Sequence, residues 1–408
     1  MMLKQEDPVR LSPLAWAAKC GHIEVVKHLL NREDINADKT NPYGRSALSW
    51  AAGNGHDDVV SLLLSREDVD PGLGDIYGKT PLFWAAEYGH EAVVQLFLDQ
   101  NNTIPNCGDR YGVTPLMVAV MKGHIGVVVR LLVCTAVNPN IGDFYGESAL
   151  FCAAKDGKVE VVRLLVEQEN VDLGLANHRG STALAVGALT GKANIVALIL
   201  GNRRSDDMLN HPDCTGSTPI HHAASGGYAE VVRLLLAAGA NPDLTDNHGF
   251  TPLLLAVSWK QVEVVKILIE DANVNVNAGD NEGNTSLHLA AMSGRVDILK
   301  ILLDCELVNP DPVCDKSRTP LHCAVIFSYR RVVGVLVKRG DVNPNWEDHD
   351  GRTPLSYAAE KGNETIVNLL LDGGARNHGR PDNFGRTPLM YAERRGIPGL
   401  METLSSSI

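Results

Sequence analysis

Thr80-Pro81-Leu82-Phe83-Trp84-Ala85-Ala86-Glu87-Tyr88-Gly89-His90-Glu91-Ala92-Val93-Val94-Gln95-Leu96-Phe97-Leu98 is the unit from which the chain is built. Thr80 can cap a helix with its side-chain oxygen, and Pro81 fits the first helical position, where no amide donor is needed. A short apolar helix through Ala85-Ala86 should stop at Gly89. A second helix then carries Val93, Val94, Leu96, Phe97 and Leu98 at spacings that make one apolar face. Upstream, Asp75-Ile76-Tyr77-Gly78-Lys79 reads as a tight turn with Gly78 at positive φ.

The unit recurs from Ser12, Ser46, Thr80, Thr114, Ser148, Thr182, Thr218, Thr251, Thr285, Thr319, Thr353 and Thr387, twelve copies in all. The step is 34 residues except from Thr182 to Thr218 (36) and from Thr218 to Thr251 (33). A fixed period holding one helix–turn–helix marks a solenoid, in which each unit buries its apolar face only against its neighbours.

The copies resemble ankyrin repeats. Thr218-Pro219-Ile220-His221-His222-Ala223-Ala224, followed by Ala238-Gly239-Ala240-Asn241, carries the resemblance best, and Ser65-Arg66-Glu67-Asp68-Val69-Asp70-Pro71 is similar to arrays of filamentous-fungal proteins. The expected fold is an all-α ankyrin-repeat solenoid of stacked helix–turn–helix units with short β-hairpin tips. One array over 1–408 is expected. Its parts are an N-terminal capping repeat (1–45), regular repeats (46–200), an irregular connection (201–217), a second block (218–380) and a C-terminal capping repeat (381–408). The two extra residues near Arg203-Arg204 suggest a soft joint. Repeats eight and ten depart from the pattern, with Lys260, Ser317 and Ser328 where other copies have turn glycines.

Composition narrows the function. A formal net charge of -12 argues against a general nucleic-acid binder, because phosphate contacts need basic surface. Eight cysteines without a CxxC pair read as free thiols, and no apolar run reaches the ~20 residues needed to span a bilayer. Acidic residues near the start, Glu6 and Asp7, do not suit a signal peptide. A monomer in the cytoplasm, with the nucleus left open, is the expectation.

Chemistry-bearing motifs are weak. Gly72-Leu73-Gly74-Asp75-Ile76-Tyr77-Gly78-Lys79-Thr80 lacks the first glycine of a phosphate loop, since Leu73 stands there. No GxSxG, HExxH or zinc-spaced Cys/His grouping occurs, so no catalytic, cofactor or metal residue is expected. The resemblance implies that His221, His288 and His322 orient backbone between neighbouring repeats, and that His22, His56, His90 and His124 act structurally after the turn glycine. Trp16, Trp50 and Trp84 share one position and read as an inter-repeat packing stack.

The resemblance also implies a protein-binding surface on the hairpin tips and the inner, concave face. On the tips it selects Tyr43, Tyr77, Tyr111, Phe144, Tyr145, His248, Phe250 and Phe384; at the ends of first helices it selects Tyr88, Trp259 and Phe327. Exposed aromatics of this kind often dominate interface energetics. Arg330 and Arg331 belong to a basic concentration with Arg318, Arg352, Arg386, Arg394 and Arg395 that could steer an acidic partner peptide. The expected function is a non-enzymatic scaffold or adaptor for a partner protein. The alternatives are an enzyme or small-molecule binder using the groove, and the sensing array of a larger receptor system.

Overall fold

A computed structural model describes residues 11–100, 103–203, 207–376 and 379–406. Those residues form 24 α-helices and one short 3-10 helix, Asp207–Asn210. Arg204, part of the expected soft joint, lies outside them.

Each repeat holds two helices of seven to nine residues, such as Pro81–Tyr88 with Glu91–Leu98 and Pro354–Lys361 with Glu364–Asp372. Helices this short are marginal alone, so their stability comes from packing against the next copy. The caps are those expected from the sequence: the Thr80 hydroxyl accepts from Phe83 N at 3.2 Å and that of Thr114 from Met117 N at 3.2 Å. Such a cap contributes about 1 kcal/mol. Gly89 ends its helix at φ 80°, and a Cβ there would lie 2.6 Å from the His124 ring of the following repeat. Left-handed backbone and close approach both require glycine at this point.

The core is the apolar seam between copies. Leu82, Ala85, Ala86, Val93, Val94 and Phe97 are all at most 1% exposed. Alanines at the centre of the first helices let adjacent helices approach closely, while Val, Leu and Phe of the second helices fill the space behind them. Burying each of the larger side chains is worth roughly 1.5–3 kcal/mol.

The tips are tighter than strand-paired hairpins. Each is a turn closed by Gly78 N donating to Asp75 O at 2.8 Å and Asp75 N to Lys79 O at 3.1 Å, and the pattern repeats along the chain. Among the described residues only two isolated antiparallel bridges occur, Ala176 with Thr182 and Gly279 with Thr285.

The chain divides into two compact units, Met1–Gly187 with Lys192–His211, and Ala188–Gly191 with Pro212–Ile408. In the first unit, histidines tie each repeat to the one before: Nε2 of His56, His90 and His124 donates to the carbonyls of Lys19, Gly53 and Glu87 at 2.9–3.1 Å. In the second unit the tie runs forward from the first helices. His221, His288 and His322 each accept from the cap threonine's N–H at 3.2 Å through Nδ1. Each donates through Nε2 to a carbonyl of the next hairpin, Phe250, Arg318 or Arg352. An Nδ1 that accepts a backbone N–H carries no proton, so these three rings are neutral.

Candidate partner-binding face

The hairpin aspartate organises the exposed edge of each repeat. Asp75 Oδ1 accepts from Tyr77 N and Lys79 N at 2.9 and 3.0 Å, freezing the turn, and Asp109, Asp143, Asp246 and Asp382 do the same. Consecutive tips are then laced by backbone. Ile76 N donates to Tyr43 O, Arg110 N to Tyr77 O, Phe144 N to Tyr111 O and His178 N to Tyr145 O, at 2.7–3.0 Å. In the second unit Asn247 N, Asp315 N and His349 N make the same bond to Thr215 O, Glu282 O and Lys316 O.

It is thus the tip tyrosines' carbonyls that hold neighbouring repeats, and their rings remain largely in solvent. Phe144 is 70% and Tyr145 66% exposed, meeting edge to face with centroids 5.6 Å apart. The Arg110 guanidinium lies between Tyr77 and Tyr111, 5.0 and 5.2 Å from their centroids. Tyr43 and Phe384 are exposed as well, and His248 is an exposed tip residue. Phe250 is only half-exposed, and its carbonyl is the acceptor for His221.

Tyr88, Trp259 and Phe327 occupy one register position, the end of the first helix, and all three are exposed. Tyr88 stacks on Trp84 at 6.0 Å and Phe327 on Tyr329 at 6.3 Å, while Trp259 is 64% exposed. The residues that follow Trp259 and Phe327 in place of glycine keep glycine's backbone: φ is 64° at Lys260 and 60° at Ser328, with Ser317 at 56°. Those three are the only non-glycine residues with positive φ among the described residues. Left-handed backbone costs an L-residue roughly 1–2 kcal/mol.

Phe327 also lines a depression of about 370 Å³ with Met292, Cys314, Arg318, Cys323 and Ile326. Burial pushes the Cys323 thiol up to about 12, so it behaves as an apolar wall. Arg330 and Arg331 do not share this depression. They line a separate groove on the second helices.

Two ladders of cations and aromatic rings flank this face. Trp16, Trp50 and Trp84 do not stack ring on ring; cations lie between them. Lys19 sits 5.6 and 4.9 Å from the Trp16 and Trp50 centroids, and Arg45 sits 3.7 and 3.9 Å from those of Trp50 and Trp84. Lys79 continues the series at 4.5 Å from Trp84, while its ammonium donates to Glu87 at 2.8 Å. A lysine so engaged is not poised for a phosphate. Desolvation pushes Arg45 down to about 10.

In the second unit Arg352 lies 3.8 and 4.6 Å from the Tyr357 and Tyr391 centroids, with Arg318 at 5.4 Å from Tyr357 and Arg386 at 5.9 Å from Tyr391. Arg318, Arg352 and Arg386 are thereby committed to structure, which the basic concentration in the sequence did not reveal. The signal was available: every ladder cation except Lys19 directly precedes a cap residue, and every ring stands four residues after one.

Among the described residues no group of three or more His, Cys, Asp or Glu side chains is placed to hold a metal ion. Among the same described residues no helix is long and apolar enough to cross a membrane. The eight cysteines are unpaired.

The family of ankyrin repeats (three copies) matches at residues 2–75, 67–143, 126–210, 204–280, 272–346 and 340–407. Among curated proteins, 70 residues are 37% identical to the human transient receptor potential cation channel subfamily A member 1, over 17% of this chain and 6% of the channel. Mouse protein phosphatase 1 regulatory subunit 12A is 40% identical over 57 residues, which is 14% of this chain and 6% of that protein. Mouse Rabankyrin-5 is 39% identical over 61 residues, 15% of this chain and 5% of that protein. The matched segments therefore span only a small part of these relatives. Among solved structures, the ankyrin repeat domain of Bcl-3 aligns with a TM-score of 0.51 at 26% identity, over 56% of this chain and all of that domain. With matches that run across nearly its whole length, this chain belongs to the ankyrin-repeat family.

Proposed function

We propose that this chain is a non-enzymatic scaffold or adaptor that holds a partner protein against its hairpin tips and the ends of its first helices. Ankyrin repeats are in general protein–protein interaction modules. The observation that carries the reading is the pairing of an exposed aromatic with a strained successor at Trp259-Lys260 and Phe327-Ser328. Each of these two copies combines an exposed aromatic ring with a left-handed non-glycine residue, features concentrated where binding surfaces and functional strain occur. The laced tips add a stiff row in which Tyr77, Tyr111, Phe144 and Tyr145 present area with little rotamer entropy to lose.

Affinity would then come from side-chain contacts summed over several repeats, with Tyr88, Trp259 and Phe327 as anchors. Affinity capture from the native cell extract tests this, comparing wild type with Trp259→Ala/Phe327→Ala. A protein recovered by the wild type and lost by the variant supports the reading. Undiminished recovery by a variant of native helicity would refute the assignment of the anchors.

A further inference from the structure

We propose a second docking site, on the second helices of repeats nine to eleven, that takes an acidic segment of a protein partner. The second helices follow a charge rule set by the repeat itself. Twelve residues after the cap stands an acid in half of the copies (Glu24, Asp58, Glu160, Glu230, Glu263 and Asp297), and in five of these six a cation follows three residues further on. The two neutralise each other within a repeat and between repeats. Glu263 lies 3.7 Å from Lys266 in its own helix and 3.2 Å from Arg233 of the preceding repeat.

Repeat ten inverts this rule. Arg331 stands in the acid's place and Gly334 in the cation's. Lys300, the cation of repeat nine, therefore meets Arg331 where Arg233 meets Glu263. Its own helix offers no relief, because Asp297 is engaged by Arg295 at 2.6 Å. Repeat eleven supplies Thr365 and Asn368 at the two positions.

The result is an open groove of about 700 Å³ lined by Val296, Lys300, Arg330, Arg331, Gly334, Val335, Lys338 and Leu369, with no acid in its wall. All four cations are exposed, and among the described residues none of them is in an ion pair or a side-chain hydrogen bond. A Cβ at Gly334 would meet nothing within 4 Å, so the missing side chain deepens the groove instead of relieving a clash. Glycine inside a helix costs about 1 kcal/mol relative to alanine.

The lining selects the occupant. Val296, Val335 and Leu369 form an apolar floor under a cationic rim, which fits a peptide whose carboxylates flank an apolar side chain. A nucleic-acid backbone or a lipid headgroup layer has no use for that floor. Both are also extended polyanions that a chain of net charge -12 repels, whereas a short acidic segment experiences mainly the local field. This site stands apart from the hairpin face, and either can fail without the other.

The test is fluorescence anisotropy of the full chain with a short labelled peptide alternating glutamate and leucine, and with its glutamine counterpart. Anionic phosphatidylserine vesicles and duplex DNA serve as competing probes. Wild type should bind the glutamate peptide, lose that binding as salt rises to about 0.5 M, and ignore the glutamine peptide. Arg331→Glu/Gly334→Lys restores the array's usual pair and should fold; it should weaken binding about tenfold or more. Lys300→Glu should do likewise, and Trp259→Ala/Phe327→Ala should leave it unchanged. Equal affinity of wild type and the Arg331→Glu/Gly334→Lys variant, absence of binding to the glutamate peptide, or binding to vesicles or DNA alone would overturn the proposal.

Discussion

Trp84 donates its indole N–H to Asp75 Oδ2 at 3.2 Å, using the one carboxylate oxygen that the turn leaves free. The same link recurs as His222 Nε2 to Asp213 at 2.9 Å, and as the hydroxyls of Tyr357 and Tyr391 to Asp348 and Asp382 at 2.6 Å. One residue thus locks both the hairpin and the face of the first helix. In repeat two the position holds Asn41, whose Oδ1 accepts from Tyr43 N and Arg45 N as Asp75 Oδ1 does from Tyr77 N and Lys79 N. Its remaining polar atom is an amide nitrogen, which cannot accept. Trp50 Nε1 is buried there without a partner, and so is Arg45 Nε.

Asn41→Asp should therefore stabilise the first unit. It gives Trp50 an acceptor and places a negative charge beside the desolvated Arg45, for a gain of about 1 kcal/mol. Asp75→Asn should cost a similar amount by orphaning Trp84. Urea midpoints of the two variants should move in opposite directions; a fall for Asn41→Asp would refute the register argument.

Lys260→Gly, Ser317→Gly and Ser328→Gly should each stabilise the second unit by about 0.5–1 kcal/mol. Glycine adopts φ near 60° freely, and its greater entropy in the unfolded chain offsets only part of the relief. Thermal melts check this, and a loss of stability would show that the side chains themselves make compensating contacts.

Acid should weaken the second unit through its histidines. Burial lowers His221, His288 and His322, the last to about 4, while the unfolded chain titrates near 6.5. A depressed folded value means the stabilisation is complete above about 6.5 and is lost as pH falls toward 4. His322 alone accounts for on the order of 3 kcal/mol over that window. Stability measured at stepped pH should fall across it, and His322→Gln, though weaker at neutral pH, should show a shallower fall. An unchanged slope would mean that the ring is not buried neutral.

The repeat made much of this legible. Period, caps and turn glycines follow from residues that recur in phase, because a solenoid applies one set of local rules to every copy, while the roles of His221, His288 and His322 came from the ankyrin resemblance. What escaped reading depends on pairs of positions in neighbouring copies. The Arg45 sandwich and the Arg352–Tyr357–Tyr391 ladder each place one cation against the rings of two neighbouring copies, and the pattern shows only when the copies are aligned on their caps, not in a linear scan. The arginines of the last repeats looked like one basic cluster, yet the structure commits Arg318, Arg352 and Arg386 to rings and leaves Arg330 and Arg331 to solvent. Nor does the loss of glycine at Lys260 and Ser328 tell the backbone's conformation, and φ stays positive there because the packed helices on either side fix the turn.

The most direct test of the proposed binding face is hydroxyl-radical footprinting of the chain with and without its captured partner. Exposed Tyr, Trp and Phe rings are oxidised readily, so protection reports their burial side chain by side chain. The account predicts strong protection of Trp259 and Phe327, with protection at one or more of Tyr77, Tyr88, Tyr111, Phe144 and Tyr145. Ile125 and Val133 on the second helices of the first unit should stay unchanged. Protection of Ile125 and Val133 with Trp259 and Phe327 still fully reactive would contradict it.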